Sequence, residues 1–167
     1  MARLTPQQYQ DELIYRQTRV VRYTNGQVKL ATNLVNELNK KLAEYCLRKE
    51  LLESKKQYND IKQFIKKQSI IYRDKLYKHL QKEMRGFVEE QAAWIYANSP
   101  VELDKKKVDT IMRHVFFEAF SESENIKTFV TRIFNQIFQL WNAQLTIAYR
   151  TKLPMKKMIL NILGDES

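Results

Sequence analysis

A chain of 167 residues has room for one ordinary domain or one elongated bundle, not for two large domains. Lys and Arg number 29 against 19 Asp and Glu, a formal charge of +10, while 44% hydrophobic residues provide for a core and exclude compositional disorder. Three Gly and three Pro are too few turn formers for an open sheet with many turns, which disfavours β-rich and α/β folds.

The expected fold is therefore all-α, an elongated bundle of long antiparallel amphipathic helices with shorter C-terminal helices. Residues 1–97 are expected to form a long helical hairpin, with 98–167 a helical segment packed on it as one structural unit. The first element opens at Thr5-Pro6-Gln7-Gln8, with a capping residue, Pro at the first helical position and Gln three residues after the Thr. Val21, Val28, Ala31, Val35, Leu38, Leu42 and Tyr45 follow at steps of three, four and seven, the narrow seam of a helix that meets one partner. Gly26 costs about 1 kcal/mol inside a helix, yet the seam stays in register across it. One continuous helix from Pro6 to Tyr45 is predicted, roughly 60 Å long at 1.5 Å per residue.

The chain turns over residues 48–56, where Ser54-Lys55-Lys56-Gln57 repeats the capping-box pattern. Beyond it, Ile61, Ile65, Tyr72, Leu76, Leu80, Phe87, Gln91 and Trp94 share a face within about 120° at 100° per residue. This predicts a second long helix to about Ala97, returning antiparallel to the first, with Gly86 a place where it could kink. Asn98-Ser99-Pro100 stops it, because the residue before Pro is pushed out of the helical region, and Val101-Glu102-Leu103 is briefly extended.

A shorter helix fits Asp104 to about Phe120, with Val108, Ile111, Met112, Val115, Phe116 and Ala119 on one face. After a turn at 121–124, Ile126, Phe129, Val130, Ile133, Ile137, Trp141, Leu145 and Ala148 form the buried face of the most hydrophobic helix. Phe129, Ile133, Ile137 and Trp141 are its expected core, while Phe134 and Phe138 widen the stripe and are candidates for a partner interface. Pro154 and Gly164 bracket a short last helix.

Cys46 has no second cysteine to pair with, and its leucine-rich surroundings predict a buried, inert thiol. The N-terminus lacks an apolar leader, and no stretch approaches the roughly 18 apolar residues that cross a bilayer, so no membrane partner is expected. His79 and His114 lack companions at metal-ligand spacing. Gly-rich phosphate loops and nucleophile elbows are absent, and Glu89-Glu90 are adjacent on a helix and so point about 100° apart. The expectation is a non-enzyme with no cofactor and no metal.

The basic charge is concentrated: residues 55–82 carry nine Lys or Arg against two Asp. Lys67, Lys75, Lys78, Lys82 and Arg85 fall within about 80° of one another opposite the apolar seam, a stripe able to track a phosphate backbone without reading bases. A solvated helix face accounts for the same pattern. Tyr58, Tyr72 and Tyr77 are interleaved with these lysines, and Tyr72 belongs to the seam rather than to a stacking platform.

The order of elements also resembles a family. The opening helix at Thr5-Pro6-Gln7-Gln8, the basic return helix ending in Glu89-Glu90-Gln91-Ala92-Ala93-Trp94 and the junction Ala97-Asn98-Ser99-Pro100-Val101-Glu102-Leu103 contribute to the resemblance. The closing stretch contributes most, Ile147-Ala148-Tyr149-Arg150-Thr151-Lys152-Leu153-Pro154 followed by Met158-Ile159-Leu160-Asn161-Ile162-Leu163-Gly164. It resembles the minor head, or head morphogenesis, proteins of tailed bacteriophages related to the Mu phage minor head protein, over nearly the whole chain. The resemblance implies a virion protein made in the host cytoplasm and present in few, oligomeric copies inside the capsid near the portal vertex. Its partners would be portal or other head proteins and, without sequence preference, the packaged DNA; its role would be in head assembly, genome packaging or ejection. Such proteins usually continue past this glycine into a further domain, so the sequence fits either a short member or the N-terminal part of a longer one. The alternative is a non-viral basic helical module that binds nucleic acid or a protein partner.

Overall fold

The computed structural model describes residues 5–98, 106–107, 109–110, 113 and 125–164, and among them there is no strand. Both long helices start where their capping boxes place them. The Thr5 N–H donates to Gln8 Oε1 (2.9 Å) while the Gln8 N–H donates to Thr5 Oγ1 (3.3 Å), and α1 runs Pro6–Cys46. At the second box the Gln57 N–H donates to Ser54 Oγ (3.2 Å), and Gln57 Oε1 accepts from the Glu53 and Ser54 amides (2.9 and 3.3 Å). α2 follows as Lys55–Asn98, and both helices continue through their interior glycines. α3 spans Ile126–Thr151 and α4 Met155–Leu163. Gly164 adopts the left-handed φ of 82° and donates its N–H to Leu160 O (2.8 Å), which ends α4 at the expected residue.

The apolar face expected for 104–120 (Val108, Ile111, Met112, Val115, Phe116, Ala119) lies outside the described residues. So do the stop at 99–100, the extended stretch 101–103, the turn at 121–124 and His114. Residues 106, 107, 109, 110 and 113 are helical. No helix among the described residues is long and apolar enough to cross a membrane, and none of their His, Cys, Asp and Glu side chains group to hold a metal ion.

The chain divides into two compact units, each made from two separate stretches: unit 1 is Met1–Thr32 with Lys78–Lys127, and unit 2 is Asn33–Tyr77 with Thr128–Ser167. Most of the buried apolar side chains among the described residues lie in unit 2. Leu38, Leu42 and Cys46 of α1, Ile61, Ile65, Tyr72 and Leu76 of α2, and Leu52 from the connection between them are buried there. Val130, Phe134, Trp141, Leu145 and Ala148 of α3 join them, closed by Met155, Met158 and Ile159 of α4. Tyr45 stacks on Phe64 with ring centroids 3.7 Å apart and Lys41 Nζ lies 5.9 Å from the Tyr72 ring, so the partners on α2 rise in number as those on α1 fall and the two helices are antiparallel in this unit. Tyr58 stacks on Tyr149, and its hydroxyl meets Thr146 Oγ1 at 3.1 Å. Because Thr146 gives its own proton to Asn142 O (2.7 Å), Tyr58 is the donor of that bond.

The buried face of α3 is turned about 40° from the expected one at 100° per residue. Phe134 is 1% exposed and belongs to the core rather than to a partner interface, Phe138 is half-buried, and Phe129 is 39% exposed. Ile133 and Ile137 are half-buried and Trp141 fully buried. The stripe is so wide that periodicity alone does not centre it; the neighbours from α1 and α2 do.

Unit 1 corrects the expected seam of α1. Val21 and Val28 are 59% and 60% exposed, and the face turned to α2 carries Arg16, Arg19, Tyr23 and Gln27 instead. Arg16 Nη1 donates to Gln91 Oε1 (3.0 Å) and its guanidinium lies 4.3 Å above the Trp94 ring. Arg19 grips Glu90 with both terminal nitrogens, Nη2 to Oε2 at 2.9 Å, and Tyr23 stacks on Phe87 with centroids 4.7 Å apart. Partners from α2 fall in number as those of α1 rise, so the pair is antiparallel here as well. Polar and aromatic side chains hold it, and a count of aliphatic positions cannot see such a face.

Candidate nucleic-acid interface

The five stripe residues divide between the units: Lys67 and Lys75 belong to unit 2, and Lys78, Lys82 and Arg85 to unit 1. The four lysines are exposed. Lys75 Nζ lies 4.6 Å over the Tyr72 ring, which steadies the side chain and leaves the ammonium at the surface. Arg85 is already engaged, with Nη2 2.6 Å from Asp109 Oδ1 and Nη1 3.7 Å from Glu89 Oε1. These two carboxylates offset its charge locally and compete with a phosphate for it.

Charge separates the units clearly. Sixteen Lys and Arg against eight Asp and Glu give unit 2 a formal +8, while thirteen against eleven leave unit 1 at +2. Unit 1 also contains an open cleft of about 460 Å³ lined by Tyr15, Arg19, Arg22, Tyr23, Glu83, Phe87 and Glu90. Two arginines face two glutamates there, and Arg19 is committed to Glu90. Burial, and then the charge of Glu83, push the Tyr23 hydroxyl upward from its ordinary pKa. Such a mixed surface gives no preference for a polyanion.

Unit 2 gathers a second basic cluster that separation in the chain conceals. The connection between α1 and α2 is bound to the turn between α3 and α4 by two hydrogen bonds: Met155 N–H to Glu50 O (2.9 Å) and Lys152 Nζ to Leu52 O (2.9 Å). Lys152 makes this reach from a left-handed backbone, φ 54°, at the end of α3. The two ties bring Arg48, Lys49, Lys55 and Lys56 to the same end of the unit as Lys156 and Lys157, all six exposed, against the exposed carboxylates of Glu50 and Glu53. Lys156 and Lys157 stand on the first turn of α4, where the positive end of the helix dipole adds to the field. Arg48 extends over Tyr45, 5.1 Å from the ring centroid.

Between the cluster and Lys75, the outer side of α2 is interrupted: Lys66 and Lys67 flank Ile70 and Ile71, which are partly exposed, and Asp74 is paired with Arg73 at 2.8 Å. The stripe drawn on the helical wheel is thus a row of lysines with an apolar patch in it. No family model matches the chain, and comparison with curated proteins and with solved structures finds no match either.

The arrangement suits the binding of phosphates. Ammonium and guanidinium groups spread over one end of a unit can each displace a counterion from a polyanion, a contact that carries no sequence information. Cys46, by contrast, has its thiol pushed up to about 12 by burial and offers no nucleophile.

Proposed function

We propose that this protein is a structural helical protein without catalytic activity that lies against nucleic acid through the basic surface of unit 2, contacting phosphates and reading no sequence. The observation that carries the reading is the convergence of Arg48, Lys49, Lys156 and Lys157 at one end of a unit whose formal charge is +8. The resemblance of the closing stretch, Ile147 to Gly164, to tailed-phage minor head proteins supports a viral setting for that contact. In it, the protein sits inside the capsid near the portal vertex and meets dense packaged DNA, and its basic unit lowers the electrostatic cost of that proximity. A non-viral helical module would use the same surface on cellular nucleic acid.

Titration of a random-sequence duplex at several salt concentrations tests the reading. Binding is expected to be independent of sequence and to weaken steeply with salt. Replacing Arg48, Lys49, Lys156 and Lys157 with Gln is expected to flatten the slope of log K against log salt by up to roughly 3.6, at about 0.9 per phosphate contact. The same change at Arg85 alone is expected to leave the slope unaltered. Undetectable binding at low salt, or an unchanged slope in the four-fold variant, would overturn the assignment.

A further inference from the structure

The face of α1 opposite α2 in unit 1 carries no charge. On a wheel of 100° per residue, a continuous arc of about 160° between Leu13 and Thr32 holds only uncharged side chains, and Arg16, Arg19, Arg22 and Lys29 all lie outside it. This occurs in a chain where 29% of residues are charged. Along the arc, Ile14, Val21 and Val28 repeat at seven-residue steps and are the most exposed apolar side chains of the helix, at 64%, 59% and 60%. Gln17, Thr24 and Ala31 occupy the alternate positions of the same heptads, with Leu13 and Val20 beside them. The pattern is that of one strand of a coiled coil whose seam has no partner among the described residues.

The threonines make this face able to lose its water. Thr18, Thr24 and Thr32 each donate the side-chain hydroxyl to the carbonyl four residues back, Ile14 O, Val20 O and Val28 O, all at 3.0 Å. Their donors are satisfied inside the helix and their methyl groups are left for a partner, so burying them strands no O–H group.

We infer that this face is a self-association surface, occupied by the same helix face of a second copy of this chain in a two-stranded coiled coil. Charge selects that occupant. Two copies that each carry +10 repel one another wherever basic side chains meet, and this arc is a place where they can approach without juxtaposing cations. An acidic protein or a nucleic acid would instead be met by lysines and arginines, which the arc lacks. Ile14, Val21 and Val28 at the leading heptad position are the branched side chains that two-stranded coiled coils place there, with Gln17, Thr24 and Ala31 standing where Leu usually completes the seam.

Sedimentation equilibrium of the full chain without nucleic acid tests the inference. The wild type is expected at twice the 20.1 kDa chain mass, and the Val21→Glu, Val28→Glu double variant at the single-chain mass with unchanged helical circular dichroism, since both side chains point to solvent in the monomer. Arg22→Glu, outside the arc, is expected to leave the dimer intact. If the double variant loses helix content, Thr24→Arg takes its place, expected to give a folded single chain. A wild type that stays at the single-chain mass up to about 0.1 mM, a concentration that populates dimers of micromolar affinity, would overturn the inference. So would a dimer that survives a cation or carboxylate in the arc in a folded variant.

Discussion

Trp141 Nε1–H donates to Asn39 Oδ1 at 3.0 Å across the core of unit 2, joining two residues 102 positions apart in the chain. Trp141 is fully buried, so its indole N–H has no water to turn to if the partner is removed. Asn39→Ala is expected to lower the unfolding free energy by about 1–3 kcal/mol, the desolvation penalty of a buried donor left unmade. Urea unfolding followed by tryptophan fluorescence measures it; a change within error would mean that the indole N–H finds another acceptor.

The rotated face of α3 makes Phe134 and Phe129 a matched pair of opposites. Phe134→Ala removes a fully buried ring and is expected to cost about 3–5 kcal/mol, the range for large-to-small changes in a core. Phe129 lies at the surface with the Arg132 guanidinium 5.2 Å from its ring, and Phe129→Ala is expected to cost less than about 1 kcal/mol. Equal costs in thermal melts of the two variants would place the buried face back where periodicity drew it.

Gln68 is buried in unit 2 with its amide oxygen lacking a hydrogen-bond partner, while its neighbour Ser69 is satisfied by Ile65 O at 2.9 Å. A buried acceptor without a partner is a net cost, so Gln68→Met, of similar length and without the amide, is expected to raise stability by about 1–2 kcal/mol. A lower denaturation midpoint in this variant would show that the amide is held by a bond its removal breaks.

Burial holds the Cys46 thiol neutral, with its pKa raised to about 12 from an ordinary value of 9.0. The folded state therefore keeps a proton that the unfolded chain gives up sooner. The stability this contributes is fully present below pH 9 and declines as pH rises from there toward about 12. In native protein at pH 8 the thiol is expected to react with a disulfide reagent only as fast as the unit opens. Cys46→Ala is expected to lose this component of the alkaline decline in stability; fast stoichiometric labelling under native conditions would contradict the burial.

What could be read from residue order was local. The capping boxes at Thr5 and Ser54, the stop at Gly164, the seam of α2 and the buried state of Cys46 depend on groups within a turn or two of one another or on plain apolar periodicity, and each stands in the structure where the pattern put it. Two things needed the tertiary structure. Which side of α1 meets α2 in unit 1 was decided by Arg16, Arg19 and Tyr23, because long polar and aromatic side chains can pack by stacking and forked hydrogen bonds as well as aliphatic ones do, and so Val21 and Val28 were left outside. The basic end of unit 2 depends on two backbone-directed hydrogen bonds between segments about a hundred residues apart, Met155 to Glu50 and Lys152 to Leu52. No helical wheel relates those segments, because a wheel follows one helix and the charge gathers where two connections between helices meet.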